Sequence, residues 1–366
     1  METKEIQAIL AHFPLKGELA EVTELKSGNI NATYRVTFAD GDAARKYILQ
    51  RINTYVFRQP QRMMENILGV TEHLRRAITA RGEDPARRVL QVIPTVGGGL
   101  MHEDATGCWR VYPFIDNAFA YDTVDTAAFE AVGRGFGEFQ RLLADYPAEK
   151  LFDSIPDFHN TARRYEQLDA AIAADSAGRV KDTKDEIDFI LAQREHLCGI
   201  VRMIDQGVLP LRVTHNDTKS NNVMLDKATG KPLCVIDLDT VMPGSVLYDY
   251  GDAIRFGGST AAEDEADTGK IALDMEKTAA FSRGFLAEVR HSLSPAEIEH
   301  LPLGIEVMTG EMVARFLADY LNGDVYFKTE DPMHNLRRTR AQIALLRDIE
   351  SKREQLSEMV HTLTSL

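Results

Sequence analysis

Apolar and polar side chains alternate with period two through Thr33-Tyr34-Arg35-Val36-Thr37-Phe38, the pattern of a half-buried strand. A strand over residues 21–25 precedes it across the turn Ser27-Gly28-Asn29. A third, Lys46-Tyr47-Ile48-Leu49-Gln50, follows Asp40-Gly41. Pro60 then opens a helix that sets Met64, Ile67, Leu68, Thr71 and Leu74 on one face. Residues 89–93 and 108–112 read as two more strands on either side of Gly97-Gly98-Gly99. Beyond them the period becomes helical, over 127–143, 158–174, 186–203, 275–289, 311–320 and from Leu336 to the end. A hairpin interrupts the helices: Val223-Met224-Leu225, a turn through Lys227-Ala228-Thr229-Gly230, then Leu233-Cys234-Val235-Ile236. Residues 260–270, with Glu263-Asp264-Glu265, are expected to form a mobile polar loop without chemistry.

This order divides the chain into a small, mostly β lobe with one helix, residues 1–116, and a large, mostly helical lobe, residues 117–366. The length supports two such bodies, and 44% hydrophobic residues supply their cores. The net charge is −14, and no basic run exceeds Leu74-Arg75-Arg76 or Leu336-Arg337-Arg338, which argues against nucleic acid or an anionic membrane as partner. Cys108, Cys198 and Cys234 are odd in number and share no metal-ligand spacing, as in a protein of a reducing compartment. The first residues lack a signal pattern and no apolar run approaches a membrane span, so a cytoplasmic protein is expected.

The chemistry concentrates in His215-Asn216-Asp217-Thr218-Lys219-Ser220-Asn221-Asn222 and in Val235-Ile236-Asp237-Leu238-Asp239. The spacing His-x-Asp-x-x-x-x-Asn puts a carboxylate and a carboxamide on one loop. Asp217 can accept a hydroxyl proton there, while Asn222 holds a magnesium ion against a triphosphate. Asp237, at the end of the hairpin, would return a second carboxylate to the same metal. Lys219 is either a phosphoryl contact or a solvated loop lysine. These parts, with the order strand, strand, strand, helix, strand, strand before them, are those of a bilobal protein-kinase-like α+β fold. Such a fold covers its nucleotide from the first turn, here Ser27-Gly28-Asn29, whose single glycine does not match Gly-x-Gly-x-x-Gly and by itself reads as an ordinary hairpin turn. Its third strand normally supplies a cation to the phosphates, but Gln50 stands in that slot, with Arg51 next to it and Lys46 four residues earlier, and which residue takes the lysine's role is open. Adenine would be read by backbone groups after the last strand, at Phe114 and Ile115.

Farther on, Arg315 stands among apolar residues with Glu311 and Asp319 four positions to either side. It either pairs with them locally or points into a pocket and hydrogen-bonds a polyhydroxylated acceptor. Tyr326 either stacks on or hydrogen-bonds the same ligand, or belongs to the core.

The strings Gly28-Asn29-Ile30-Asn31-Ala32-Thr33-Tyr34, Thr214-His215-Asn216-Asp217-Thr218-Lys219, Ile236-Asp237-Leu238-Asp239-Thr240-Val241-Met242-Pro243-Gly244-Ser245 and Arg315-Phe316-Leu317-Ala318-Asp319-Tyr320-Leu321 resemble those of the N-acetylhexosamine 1-kinases. That family lies within the aminoglycoside phosphotransferase-like, kinase-fold superfamily. The resemblance extends over nearly the whole chain. It implies ATP- and Mg2+-dependent phosphorylation of the anomeric hydroxyl of N-acetylglucosamine or N-acetylgalactosamine. It places the base on Asp217, the metal ligands on Asn222 and Asp237, and the sugar contacts on Arg315 and Tyr326. The family has a sugar-contacting His in the glycine turn, where this chain has Asn29. Two rivals stand beside this expectation: a kinase of another small alcohol, such as an amino alcohol or aminoglycoside, and an inactive nucleotide-binding module.

Overall fold

In the computed structural model, which describes residues 2–25, 30–41 and 43–365, the alternating segments form an antiparallel sheet. Its strands are β1 (Glu18–Leu25), β2 (Ala32–Asp40), β3 (Ala43–Ile52), β4 (His102–Asp104) and β5 (Gly107–Pro113), in the order β1-β2-β3-β5-β4. Alternation sorts the residues by face. Tyr34, Val36 and Phe38 of β2, Leu49 of β3, and Trp109 and Val111 of β5 bury on one face. A short helix, α1 (Thr3–Leu10), covers that face with Ile6, Ile9 and Leu10. Residues of the opposite parity include Gln50 and Arg110, which stand directly across from each other in the β3–β5 ladder. The helix opened by Pro60 is α2 (Pro60–Ala80), with Met64, Ile67, Thr71 and Leu74 buried as its periodicity predicts. Its Met64 Sδ lies 3.7 Å from Arg110 Nη1.

Residues 89–93 do not form the expected strand. Val89 and Leu90 are buried in irregular chain after the turn Pro85–Arg87, and only Ile93 bridges to Val111 before Pro94 removes the next donor. The extra strand is β4 instead, beside β5. Two-residue β6 (Ala118–Phe119) joins β8 (Val223–Asp226) and β9 (Pro232–Val235) in a second, three-stranded sheet. The β8–β9 turn closes with Gly230 at φ 67° and with Asp226 Oδ1 accepting from the Ala228 and Thr229 amides.

The chain falls into two compact units, and the division is not a single cut near residue 116. The first unit contains Met1–Phe119, Glu149–Pro156 and Met224–Met242; the second contains Ala120–Ala148, Asp157–Val223 and Pro243–Leu366. The hairpin and the residues that follow it, through Asp237 and Asp239, therefore pack with the sheet. Asn66 of α2 shows how, donating from Nδ2 to the carbonyls of Phe152 at 2.7 Å and Val241 at 3.0 Å.

The second unit is helical: α3 (Thr126–Leu142), α4 (Thr161–Ala174), α5 (Lys184–Ala192), α6 (Arg194–Leu197), α7 (Gly199–Asp205), α8 (Val246–Gly257), α9 (Met275–Val289), α10 (Pro295–Leu321), α11 (His334–Ser351) and α12 (Arg353–Ser365). Short β7 (Arg212–Thr214) precedes the His215–Asn222 segment, and β10 (Met242–Gly244) precedes α8. Helix α10, capped by Ser294 and Glu297, is buried along most of its length and packs against α4, α8, α11 and α12. Its crossing with α8 is backbone against backbone, since a Cβ on Gly251 would lie 2.1 Å from the Gly304 carbonyl oxygen. The segment 260–270 is anchored, contrary to the expectation of a mobile loop. Glu263 accepts from Arg255 at 2.8 Å, Asp264 lies 3.2 Å from His334, and Ser259 bridges to Leu273. Cys108 and Cys234 are buried free thiols, and burial pushes Cys234 up to about 12. Among the described residues, no helix is long and apolar enough to cross a membrane.

Candidate active site

The loop after β7 is held by carboxylates one helical turn apart on α8. Buried Asp249 accepts from the His215 amide at 2.9 Å, the Asn216 amide at 2.8 Å and Gln140 Nε2 at 2.6 Å. Asp252 accepts from the Thr218 amide at 3.0 Å and is paired with Arg255. The Thr218 hydroxyl donates to the Asp249 carbonyl at 2.7 Å. His215 is fully buried against the ring edges of Phe136 and Phe139. These contacts fix Asn216 in the left-handed region, φ 65°, and turn Asp217 out of the buried layer. Asp217 Oδ1 meets Lys219 Nζ at 2.8 Å. Burial alone would lower the Lys219 ammonium, but the Asp217 carboxylate outweighs it and holds the group above its usual range. Asn222 donates from Nδ2 to the Asp217 carbonyl at 2.8 Å, which turns its amide oxygen away from that contact.

Asp237 and Asp239 have opposite environments within the first unit. Asp237 is exposed and sits in the left-handed region at φ 59°, ahead of the turn Leu238–Thr240. Asp239 is buried, its Oδ1 in an ion pair with the Arg110 guanidinium at 2.5 Å and its Oδ2 accepting from Asn31 Nδ2 at 2.7 Å. Its carbonyl accepts from Ser154 Oγ at 2.8 Å. The charge missing from the third strand therefore stands on the neighbouring strand. Arg110, 1% exposed, also donates to Gln50 Oε1 at 3.0 and 2.9 Å, and Gln50 Nε2 donates to Thr33. Burial opposes the Arg110 charge, but Asp239, with Asp237 behind it, holds the guanidinium above its ordinary range.

Sequence reasoning missed Arg110, Asp249 and Asp252. One signal was available for Arg110, because Gln50 in a cation's slot calls for a cation nearby. Arg51 is exposed and takes no part in this network; its side chain lies beneath Gly107 instead. The Phe114 amide donates to the Lys46 carbonyl at 3.0 Å, which prolongs the β3–β5 ladder by one bond beyond Pro113. Ser27, Gly28 and Asn29 lie outside the described residues.

On α10, Arg315 does not pair with either flanking carboxylate. Glu311 is taken by His159 at 3.0 Å. Asp319 accepts from the Val325, Tyr326 and Phe327 amides and from Asn335. Among the described residues Arg315 has no ion pair; its guanidinium lies 5.6 and 5.5 Å from the Phe158 and Phe327 rings. Tyr326 is 59% exposed, hence not a core residue, and meets Phe327 edge-on at 4.8 Å between ring centroids.

A metal bound through phosphates needs only one or two protein oxygens, because magnesium keeps several waters. Among the described residues no cluster of three or more His, Cys, Asp or Glu forms a ready-made cage. Within the second unit Asn222 offers its amide oxygen as a hard donor, and within the first unit Asp237 is the exposed carboxylate of the pair while Asp239 is taken by Arg110 and Asn31.

Residues 21–283 match the phosphotransferase enzyme family. The chain belongs to that family. Solved structures share the fold of this phosphotransferase at low identity. A choline kinase from Cryptosporidium parvum is 14% identical, with a TM-score of 0.59 over 98% of this chain and 100% of that one. An aminoglycoside phosphotransferase from Alicyclobacillus acidocaldarius is 11% identical, with a TM-score of 0.58 over 98% and 96%. A spectinomycin phosphotransferase in complex with ADP and spectinomycin is 13% identical, with a TM-score of 0.52 over 100% and 99%.

Proposed function

We propose that this phosphotransferase moves the γ-phosphoryl group of ATP to the C1 hydroxyl of an N-acetylhexosamine, N-acetylglucosamine or N-acetylgalactosamine. The observation that carries the acceptor class is Arg315, a cation on α10 whose flanking carboxylates are both engaged elsewhere. Arg164 adds a second positive charge near it, and Arg164 is held below its usual range first by burial and then by Arg315. Two neighbouring cations suit a polyhydroxylated neutral acceptor and repel the ammonium groups of an amino alcohol or aminoglycoside.

In the reaction, Asp217 takes the proton of the C1 hydroxyl as its oxygen bonds the γ-phosphorus, and the bond to the β–γ bridging oxygen breaks to release ADP. Lys219, held to Asp217, lies beside the transferring group and offsets its charge. Asn222 and Asp237 would hold magnesium, which when bound neutralises the phosphate oxygens. Arg110 and Asn31 immobilise Asp239 and thereby the strand end that carries Asp237, and Gln50 acts through Arg110. The Phe114 amide is committed to Lys46, so the Phe114 carbonyl and the Ile115 backbone are the adenine contacts. Ser27 and Gly28 contribute to phosphate binding, and Asn29 and Tyr326 to the sugar; Arg51, on the face of β3 opposite Gln50 and beneath Gly107, is left out of the phosphate site.

ADP formation from ATP is the test, over free N-acetylhexosamines, their 1-O-methyl glycosides, choline, ethanolamine and aminoglycosides, with and without Mg2+. Turnover is expected only with a free C1 hydroxyl. Equal rates on the methyl glycoside would end the C1 assignment, and preference for choline would end the sugar assignment. Arg315→Ala is expected to lower kcat/KM for the sugar roughly ten- to hundredfold, the scale of one charged hydrogen bond, with the KM for ATP unchanged.

A further inference from the structure

His159, just before α4, is buried between two hydrogen-bond acceptors. Its Nδ1 lies 3.0 Å from Glu311 Oε1, and its Nε2 lies 3.0 Å from the carbonyl oxygen of Asn216. A neutral imidazole has a single N–H, so one of these contacts would set a lone pair against a lone pair. A ring protonated on both nitrogens satisfies both. Burial by itself disfavours that charge, but Glu311 outweighs it and raises His159 above its ordinary range. Glu311 is likewise held low, burial being overcome by His159. The other groups facing the pair are Asp252 of α8, Arg164 of α4, Arg315 of α10, the Thr161 hydroxyl, which donates to Glu311 Oε2 at 3.4 Å, and the Tyr248 ring.

We infer that His159 is a positioning residue, a buried imidazolium that ties the catalytic loop to the helix carrying the acceptor-binding arginine. It holds the loop at Asn216, immediately before Asp217, and holds α10 at Glu311, one turn before Arg315. The distance from the base to the acceptor contact within this unit is thereby set by a single ring. The Asn216 backbone, held at its amide by Asp249, gains a second anchor at its carbonyl from this ring. This role rests on the reading of Asp217 as base and Arg315 as acceptor contact.

The pH window follows from the directions of the shifts. A raised histidine contributes fully below its unfolded value, about 6.5, and loses that contribution as pH rises through the higher folded value. A lowered glutamate contributes fully above its unfolded value, about 4.3, and loses that as pH falls through the lower folded value. The tie is intact between these limits and opens on the alkaline side.

Nitrogen-15 NMR of the labelled full-length protein tests the protonation state, with His159→Gln used to assign the signals. Both ring nitrogens are expected to be protonated at neutral pH and to titrate above the ordinary histidine range; a neutral tautomer at pH 7 overturns the inference. In Glu311→Gln the ring can be neutral, keeping Nε2–H on Asn216 while the Gln amide donates to Nδ1. Its titration should fall back and the alkaline decline of kcat should disappear; an unchanged pH profile counts against the tie. His159→Leu, with the fold checked by circular dichroism, should lower kcat roughly ten- to hundredfold at unchanged KM for ATP. It should also speed hydrogen exchange of the 215–218 amides. A kcat within about twofold of the parent, with exchange unchanged, would refute the role. If no acceptor is phosphorylated, the function reading fails, while the NMR and exchange results still decide this one.

Discussion

Asp237 and Asp239 are two residues apart and chemically alike, yet one is exposed and the other is clasped by Arg110 and Asn31. Their replacement by Ala should therefore fail in different ways. Asp237→Ala is expected to abolish Mg2+-dependent transfer with an unfolding loss of only about 1–2 kcal/mol, the scale of placing Ala on a left-handed backbone. Asp239→Ala leaves the Arg110 charge buried without its partner, and denaturant unfolding should show a loss of about 3–5 kcal/mol. An active Asp237→Ala would mean that the metal is held elsewhere. Asp217→Asn should keep the fold and ATP affinity and reduce kcat by at least roughly 100-fold, because the carboxamide cannot accept the proton. Near-normal turnover would remove Asp217 from the mechanism. The motif residues were legible because the spacing alone brings Asp217 and Asn222 together. Arg110 was not, because a lone arginine among Cys108, Trp109, Val111 and Tyr112 reads as the outward position of a strand, whereas that face is covered by α2.

Helix α8 carries Asp249 and Asp252 to the loop His215–Asn222, and its closeness to α10 depends on two glycines. Gly251→Ala would drive a methyl group to 2.1 Å from the Gly304 carbonyl, against rigid backbone on both sides. Unfolding should show a loss of about 1–3 kcal/mol, as overpacking costs elsewhere. Gly199→Ala is the control: its Cβ would meet only Leu303 Cδ2, at 3.5 Å, and it is expected to be neutral or stabilising. Equal effects in the two variants would show that the α8–α10 crossing relaxes freely. Periodicity revealed β2, β3, α2, α3 and α9, each with a more exposed and a buried face, and it also revealed β1, whose residues alternate between exposed and half-buried. It missed α8 because ten consecutive residues, Val246 through Arg255, are buried, so its acids fall where an amphipathic pattern has apolar side chains. The helix expected over 186–203 is three short ones, α5, α6 and α7, and residues 89–93 have strand composition but meet a partner only at Ile93. Pattern records which face is buried, and it is silent where every face is buried or where no neighbouring strand is left to pair.

The chain leaves the first unit after Phe119 and returns to it twice, last with Met224–Met242. A fragment ending at Phe119 therefore contains the five-stranded sheet but lacks Asp239. It is expected to express without a cooperative unfolding transition, and to regain one when a 224–242 peptide is added in trans. A sharp transition in the fragment alone would show that Arg110 does not need its partner. In the cell the same interleaving becomes a matter of time. At about 5–20 residues per second, the 104 residues between the two segments (120–223) take on the order of 5 to 20 s to emerge from the ribosome. Throughout that interval the sheet waits on a strand not yet synthesised, with a cation at its centre still in need of water. The gap is long enough for a holdase to bind, and synonymous codons that slow translation between 120 and 223 should lower the yield of active enzyme without altering a single amino acid.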